Sequence, residues 1–204
     1  MEQKFNHVMI DIEALDNKPT AAIASIAAAF FEPVTGTVGP SLYLPVDIVS
    51  SESGGGTLGA DTVKWWLKQS AEARAEINSD RCICLFDAME ALNVFIDTRC
   101  NDSRQLKVWA RGTDYDLPII YHAMRQMGIT PFWHFWNVRD VRSVEEVSIL
   151  LTGIRSVKVV SPEKHHALAD VLNQIAQLSD NLSTIEGRFA VIGFDSADDE
   201  GWPV

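Results

Sequence analysis

The sequence predicts an α/β fold on a mixed central sheet, with an early antiparallel meander, later strand–helix alternation and flanking helices. Three observations carry that prediction. The first 45 residues hold three apolar, β-prone runs separated by turn signals. Beyond them lie stretches with helical apolar spacing, interrupted by two short apolar runs. Meander strands pair antiparallel, whereas strands joined through helices pair parallel, so this order gives one mixed sheet with helices on its faces. The 204 residues, 47% hydrophobic and 22% charged, suit one packed domain and not a disordered chain. Residues 1–181 are taken as that domain and 182–204 as a C-terminal extension ending in an acidic tail.

The elements follow in order. Residues 5–12, FNHVMIDI, read as a strand covered on both faces. AAIASIAAAFF (21–31) is alanine-rich, which favours helix, but it lies between Pro19 and an EPVTG turn and is assigned a strand. TVGPSLYLP (37–45) completes the meander. SSESGGGTLG (50–59) reads as a flexible glycine-rich loop. Helices are expected from Ala60, over 71–80 and over 86–98, where Ala88, Leu92 and Phe95 form a stripe. LKVWA (106–110) is a short strand. Residues 116–128 form a helix, with Pro118 tolerated in its first turn and Gly128 at its end. A short strand at 135–141, helices over 143–153 and 166–178, and a short strand at 189–194 complete the expectation.

Charge and targeting signals narrow the function classes. The net charge of −11 argues against a protein that grips nucleic acid through a broadly basic surface. The charge is uneven: residues 1–98 carry −8, residues 99–164 carry +3 and residues 165–204 carry −6. No apolar run approaches the roughly 20 residues that span a bilayer, and the first residues lack a signal-peptide pattern, so a cytoplasmic location is expected. Cys82, Cys84 and Cys100 make neither a disulfide framework nor a zinc pattern. They are read as buried free thiols, with Cys82 and Cys84 on one face of a strand.

Three carboxylate constellations carry the chemistry. Asp11-Ile12-Glu13 ends the first strand, and alternation puts both acids on one face. Two carboxylates ending a buried strand repel each other and lose hydration, a conflict that a hard divalent cation resolves. Asp114 and Asp116 follow the VWARG strand, where Asp114 also suits a helix cap. His165-His166-Ala167-Leu168-Ala169-Asp170 opens the last strong helix. Taken singly, each constellation also fits a solvated strand end, a cap or solvent-facing histidines.

Taken in order, D-x-E, a later Asp and H-x4-D resemble the DEDD superfamily of 3′–5′ exonucleases in its histidine-containing, DnaQ-like branch. VMIDIEALDNKPTAAIASIAA, TLGADTVKWWLKQS, VWARGTDYDLPII, NVRDVRSV and HHALADVLNQI are similar to a subgroup of phage exonucleases and mycobacterial 3′–5′ exoribonucleases, over most of residues 7–178. The resemblance implies a ribonuclease H-like fold. It also implies two-metal phosphodiester hydrolysis of single-stranded DNA or RNA from 3′ ends, releasing nucleoside 5′-monophosphates. Asp11, Glu13, Asp116 and Asp170 would hold two Mg²⁺ or Mn²⁺ ions roughly 3.5–4 Å apart. Neutral His165 would take the proton of the attacking water. Asp114 competes with Asp116, and the spacing to Pro118 favours Asp116. His166 competes with His165, and the family spacing favours His165.

Nucleic-acid contacts are assigned to Ile12, Ala14, Leu15, Trp66, Arg111 and Lys164. Leu15 matches a position that wedges against the terminal base in the family, Trp65 or Trp66 would stack on a base, and Arg111 and Lys164 would meet phosphates. Ala14 stands where many members have Thr. The aromatic run PFWHFW (131–136) reads as core or subunit interface, and a homodimer is a family-based expectation. The rival reading is a catalytically silent nucleic-acid-binding module that kept the fold. Within the family reading, the basic middle segment and the bound ions would be where an otherwise acidic protein meets its polymer.

Overall fold

Strand β1 (His7–Ala14) is the centre of the molecule. In the computed structural model, which describes residues 5–156 and 166–192 with side chains to residue 188, a five-stranded sheet runs in the order β3-β2-β1-β4-β5. β2 (Ile23–Phe31) and β3 (Val38–Pro45) form the expected antiparallel meander with β1. β4 (Lys107–Ala110) lies parallel to β1, and β5 (Val138–Asp140) parallel to β4.

Alternation along β1 builds two cores. Val8, Ile10, Ile12 and Ala14 face one side of the sheet, where they join residues of α4 (Leu85–Arg99) and α5 (Asp116–Gln126), among them Leu92, Ile96, Ile120 and Met124. Met9 faces the other side with Ala27, Ala29, Phe31 and Trp109, under Val171, Ile175 and Leu178 of α7 (Ala167–Ile192). β2 is buried throughout, which explains its alanines: small side chains let helices close on both faces. Tertiary burial here overrides alanine's helical preference.

The remaining helices are α1 (Ile48–Ser53), α2 (Ala60–Trp66), α3 (Ala71–Glu76) and α6 (Val141–Thr152). α1 replaces the start of the expected glycine-rich loop. Asp47 caps it, accepting hydrogen bonds from the amides of Val49 and Ser50. The stretch expected as a strand over 135–141 begins as a 3₁₀ turn at Phe135–Asn137 and contributes only three residues to the sheet. Asp140 then caps α6, two residues earlier than the apolar pattern suggested. The short strand expected at 189–194 is absent over its described part, because α7 continues unbroken to Ile192. Cys84 is exposed and caps α4 through its sulfur, and Cys82 is partly exposed. Neither lies in a strand of the sheet, so only Cys100 fits the buried-thiol expectation. The acidic tail lies outside the described residues.

Candidate active site

The sheet and α7 bring the first and last constellations together. Asp11 and Glu13 point to the α7 side of β1, and Asp170 comes from the first turn of α7. One carboxylate oxygen from each of the three lies within 4.8 Å of the others. Asp116, the first residue of α5, is buried, and its charge acts on both Asp11 and Glu13. Its carboxylate lies near the backbone amide of Ile12 and its own amide, whose dipoles favour its charged form. Asp114 is exposed, whereas Asp116 is buried and near enough for its charge to act on Asp11 and Glu13, although it lies outside the 4.8 Å group of the other three.

The electrostatics follow from crowding. Burial holds the Asp11 carboxyl well above the usual carboxylate range, and the charges of Asp116, Glu13 and Asp170 add to it. Glu13 is pushed up to about 8, first by burial and then by Asp170 and Asp116. Asp116 rises to about 7 through burial, although the neighbouring backbone amides and Arg142 pull the other way. An all-oxygen donor set, crowded and desolvated, is the chemistry a hard divalent cation requires, so these residues fit such an ion. Gln174, one turn beyond Asp170, donates from Nε2 to Asp11 Oδ1 at 2.7 Å, and its own Oε1 is buried without a protein partner.

A cleft of about 440 Å³ opens beside the acids, lined by Ile12, Glu13, Ala14, Asp61, Thr62, Trp65, Trp66 and Tyr115. Its floor is set by hydrogen bonds around the end of β1, where the register with β2 shifts between Glu13 and Ala14. Trp66 Nε1 donates to the Ala14 carbonyl at 3.1 Å, and Tyr115 Oη donates to the Asp16 carbonyl at 2.8 Å. The Asp16 carboxylate accepts from Thr57 Oγ1, from the Asn17 amide and from Lys18 Nζ, which hold it below the ordinary carboxylate range.

The family model of the 3′-5′ exoribonuclease Rv2179c-like domain matches residues 6–182. The chain belongs to this family. An exodeoxyribonuclease of Enterobacteria phage T4 is 27% identical over 164 residues, which span 70% of this chain and 72% of the phage protein. Among solved structures, an exonuclease I superposes with a TM-score of 0.67 at 14% identity, over 91% of this chain and 42% of that one. E. coli exonuclease I in complex with a dA16 oligonucleotide gives 0.65 at 14% identity, over 91% and 42%. Cell-death related nuclease 4 gives 0.60 at 13% identity, over 93% and 65%. The chain thus spans less than half the length of these exonuclease I chains. The fold is ribonuclease H-like, as the family resemblance implied.

Within this family member, several expected nucleic-acid contacts take other positions. Trp66 is only 2% exposed and braces the Ala14 carbonyl, whereas Trp65 is 41% exposed at the cleft. Trp65 is therefore the more exposed ring at the cleft, and Trp66 packs beneath it. Leu15 is buried against Trp66 and Ala73 and presents no wedge. Arg111 is spent inside the protein: Nη2 pairs with Glu145 at 2.9 Å and Nη1 donates to Gln177 at 2.8 Å. That pairing keeps the buried Glu145 compensated and engages both terminal nitrogens of Arg111 within the protein. Ile12 and Ala14 do line the cleft.

His165 and Lys164 lie outside the described residues. His166 is described, and its ring stacks on Tyr43 at 4.4 Å between centroids, with Nε2 3.9 Å from Glu76. Tyr43 Oη donates to the same Glu76 oxygen at 2.7 Å. His166 is thus packed onto the fold. Gln174 and Asp16 were not singled out from sequence. Gln174 had a signal, since a residue four beyond Asp170 shares its helix face. Asp16 sits in ALDNKP, where nothing local marks it.

Proposed function

We propose that the protein is a metal-dependent 3′–5′ exonuclease that hydrolyses single-stranded DNA or RNA to nucleoside 5′-monophosphates. The observation that carries the reading is the convergence of Asp11, Glu13 and Asp170 within 4.8 Å, beside a cleft edged by an exposed tryptophan. Asp11, Glu13, Asp116 and Asp170 would hold two Mg²⁺ or Mn²⁺ ions. Such ions, when bound, neutralise the phosphate's charge and acidify the attacking water.

The chain's own residues do the rest. Gln174 fixes the Asp11 carboxylate through its 2.7 Å hydrogen bond, so that acid is oriented before any ion arrives. Trp66 and Tyr115 hold the end of β1 rigid, which keeps Glu13 and the Ala14 cleft wall in place. Trp65 offers its face to the terminal base. His165, neutral at working pH, takes the water's proton on a ring nitrogen.

The family's name points to RNA, whereas the phage relative is an exodeoxyribonuclease and a structural neighbour is in complex with a DNA oligonucleotide. Both polymers therefore enter the test. 5′-labelled single-stranded DNA and RNA are incubated with Mg²⁺ or Mn²⁺, with Asp11→Asn as control. Stepwise shortening that the variant lacks is expected. Absence of cleavage of either polymer with either metal would end the proposal. A cytoplasmic homodimer belongs to the same reading, checked for assembly by analytical ultracentrifugation. No helix among the described residues is long and apolar enough to cross a membrane.

A further inference from the structure

The loop after β4 and the start of α6 are tied to one carboxylate oxygen. Asp140 Oδ1 accepts from the Gly112 amide at 3.2 Å and from the Arg142 amide at 2.9 Å. Gly112 sits at φ +105°, where a side chain is strained. A Cβ there would also meet Arg142 Nη1 at 2.7 Å and Cζ at 3.2 Å. The backbone is shaped so that the guanidinium can lie against it, four residues before Asp116. From there its charge reaches the Asp116 carboxyl.

Arg142 is exposed, and among the described residues its guanidinium has no hydrogen-bond or ion-pair partner. Its neighbours differ. Arg111 is held by Glu145 and Gln177, and Arg139 donates to the carbonyls of Trp136 and Val138. A guanidinium is a planar fork of five donors, suited to two oxygens of one phosphate. Here it is positioned by a glycine and a shared carboxylate at the rim of an acidic site, with its donors unspent.

We propose that Arg142 forms a phosphate-binding subsite of the active site, gripping the non-bridging oxygens of the linkage immediately upstream of the scissile one. The proposal rests on the nuclease reading. The carboxylates, through their ions, serve the scissile phosphate, so the cation beside Asp116 serves its neighbour. The site thereby combines net negative ligands with one fixed positive anchor. An acidic protein can hold a polyanion this way without a broad basic surface.

The test uses Arg142→Ala and Arg142→Lys in the full chain, with thermal melts to establish that both fold like wild type. Oligonucleotides carry a single uncharged methylphosphonate at each of the last three linkages in turn. Arg142→Ala is expected to raise KM about tenfold with kcat changed less, and to lower the salt slope of binding by about 0.7, the value for one phosphate on a single strand. Lysine should recover part of the loss. With the methylphosphonate one linkage upstream of the cut, wild type and Arg142→Ala should become indistinguishable. If the penalty of Arg142→Ala persists undiminished on that substrate, or if wild type cuts and the variant matches it on ordinary DNA and RNA, the subsite is wrong while the nuclease reading stands. If wild type shortens no substrate, the nuclease reading falls and the subsite falls with it.

Discussion

Removing one charge from the carboxylate cluster should make the metal-free protein more stable while destroying activity. Glu13→Gln keeps the shape and deletes the charge. The Glu13 carboxyl is raised from 4.5 to about 8 by burial, Asp170 and Asp116. An acid raised on folding keeps its proton in the native state while the unfolded chain releases it. Stability therefore falls as pH rises from about 4.5 to about 8. At about 1.36 kcal/mol per pH unit, the cost of ionising Glu13 in the fold is roughly 4 kcal/mol at pH 8 and about 1 kcal/mol at pH 5. Its partial exposure lets solvent screen some of this, so the gain on neutralisation is set at about 2–3 kcal/mol at pH 8 and below about 1 kcal/mol at pH 5. For a chain of this size that is roughly 5–10 °C in Tm. The assay is thermal and urea denaturation of wild type and Glu13→Gln in EDTA at both pH values. Adding Mn²⁺ should then raise the wild type more than the variant, because an ion that binds only the native state stabilises it. An equal or lower stability of the variant at pH 8 would refute the reasoning, as would a gain of the same size at pH 5.

The two tryptophans should separate. Trp65→Ala should leave Tm unchanged and raise KM for single-stranded substrates, whereas Trp66→Ala should cost about 3–5 kcal/mol in urea unfolding through lost packing. The two histidines should separate as well. His165→Ala should lower kcat by about 10²–10⁴-fold, and His166→Ala should leave kcat near wild type while reducing Tm by a few degrees. The opposite kinetic pattern would move the proton acceptor to His166. Arg111→Ala should destabilise by about 2–3 kcal/mol in denaturant melts, since Glu145 loses a charged hydrogen bond. Its KM on folded protein should hold, and a selective KM rise would return Arg111 to the substrate.

The acids were legible because their geometry is local: strand alternation puts Asp11 beside Glu13, and a helix start presents Asp116. The meander and the parallel β4 were legible for the same reason, from short apolar runs between turns. Tertiary placement was not. Trp65 and Trp66 are adjacent, and only docking of α2 on Leu15 and Ala73 decides which ring is covered. Arg111 looked available until folding set Glu145 and Gln177 beside it, 34 and 66 positions away. α1 escaped notice because SSESGGG reads as loop, whereas its helix rests on a cap at Asp47, upstream of that run. The 3₁₀ turn at Phe135–Asn137 carries the same lesson, since its aromatics resemble a strand and only Val138–Asp140 of that stretch reach β4.

The hydrogen bond from Gln174 to Asp11 joins positions 163 apart, and Asp170 lies nearly as far from Glu13. A chain leaving the ribosome grows by about 5–20 residues per second. For most of that time β1 can pair with β2 and β4, but its two acids face the place where α7 has yet to arrive. The carboxylate cluster is closed by a helix that leaves the ribosome long after the strand it completes. A nascent or truncated chain, folded as far as it goes, therefore lacks an acid and the glutamine that orients another. The order of synthesis itself leaves the carboxylate cluster incomplete until α7 has emerged.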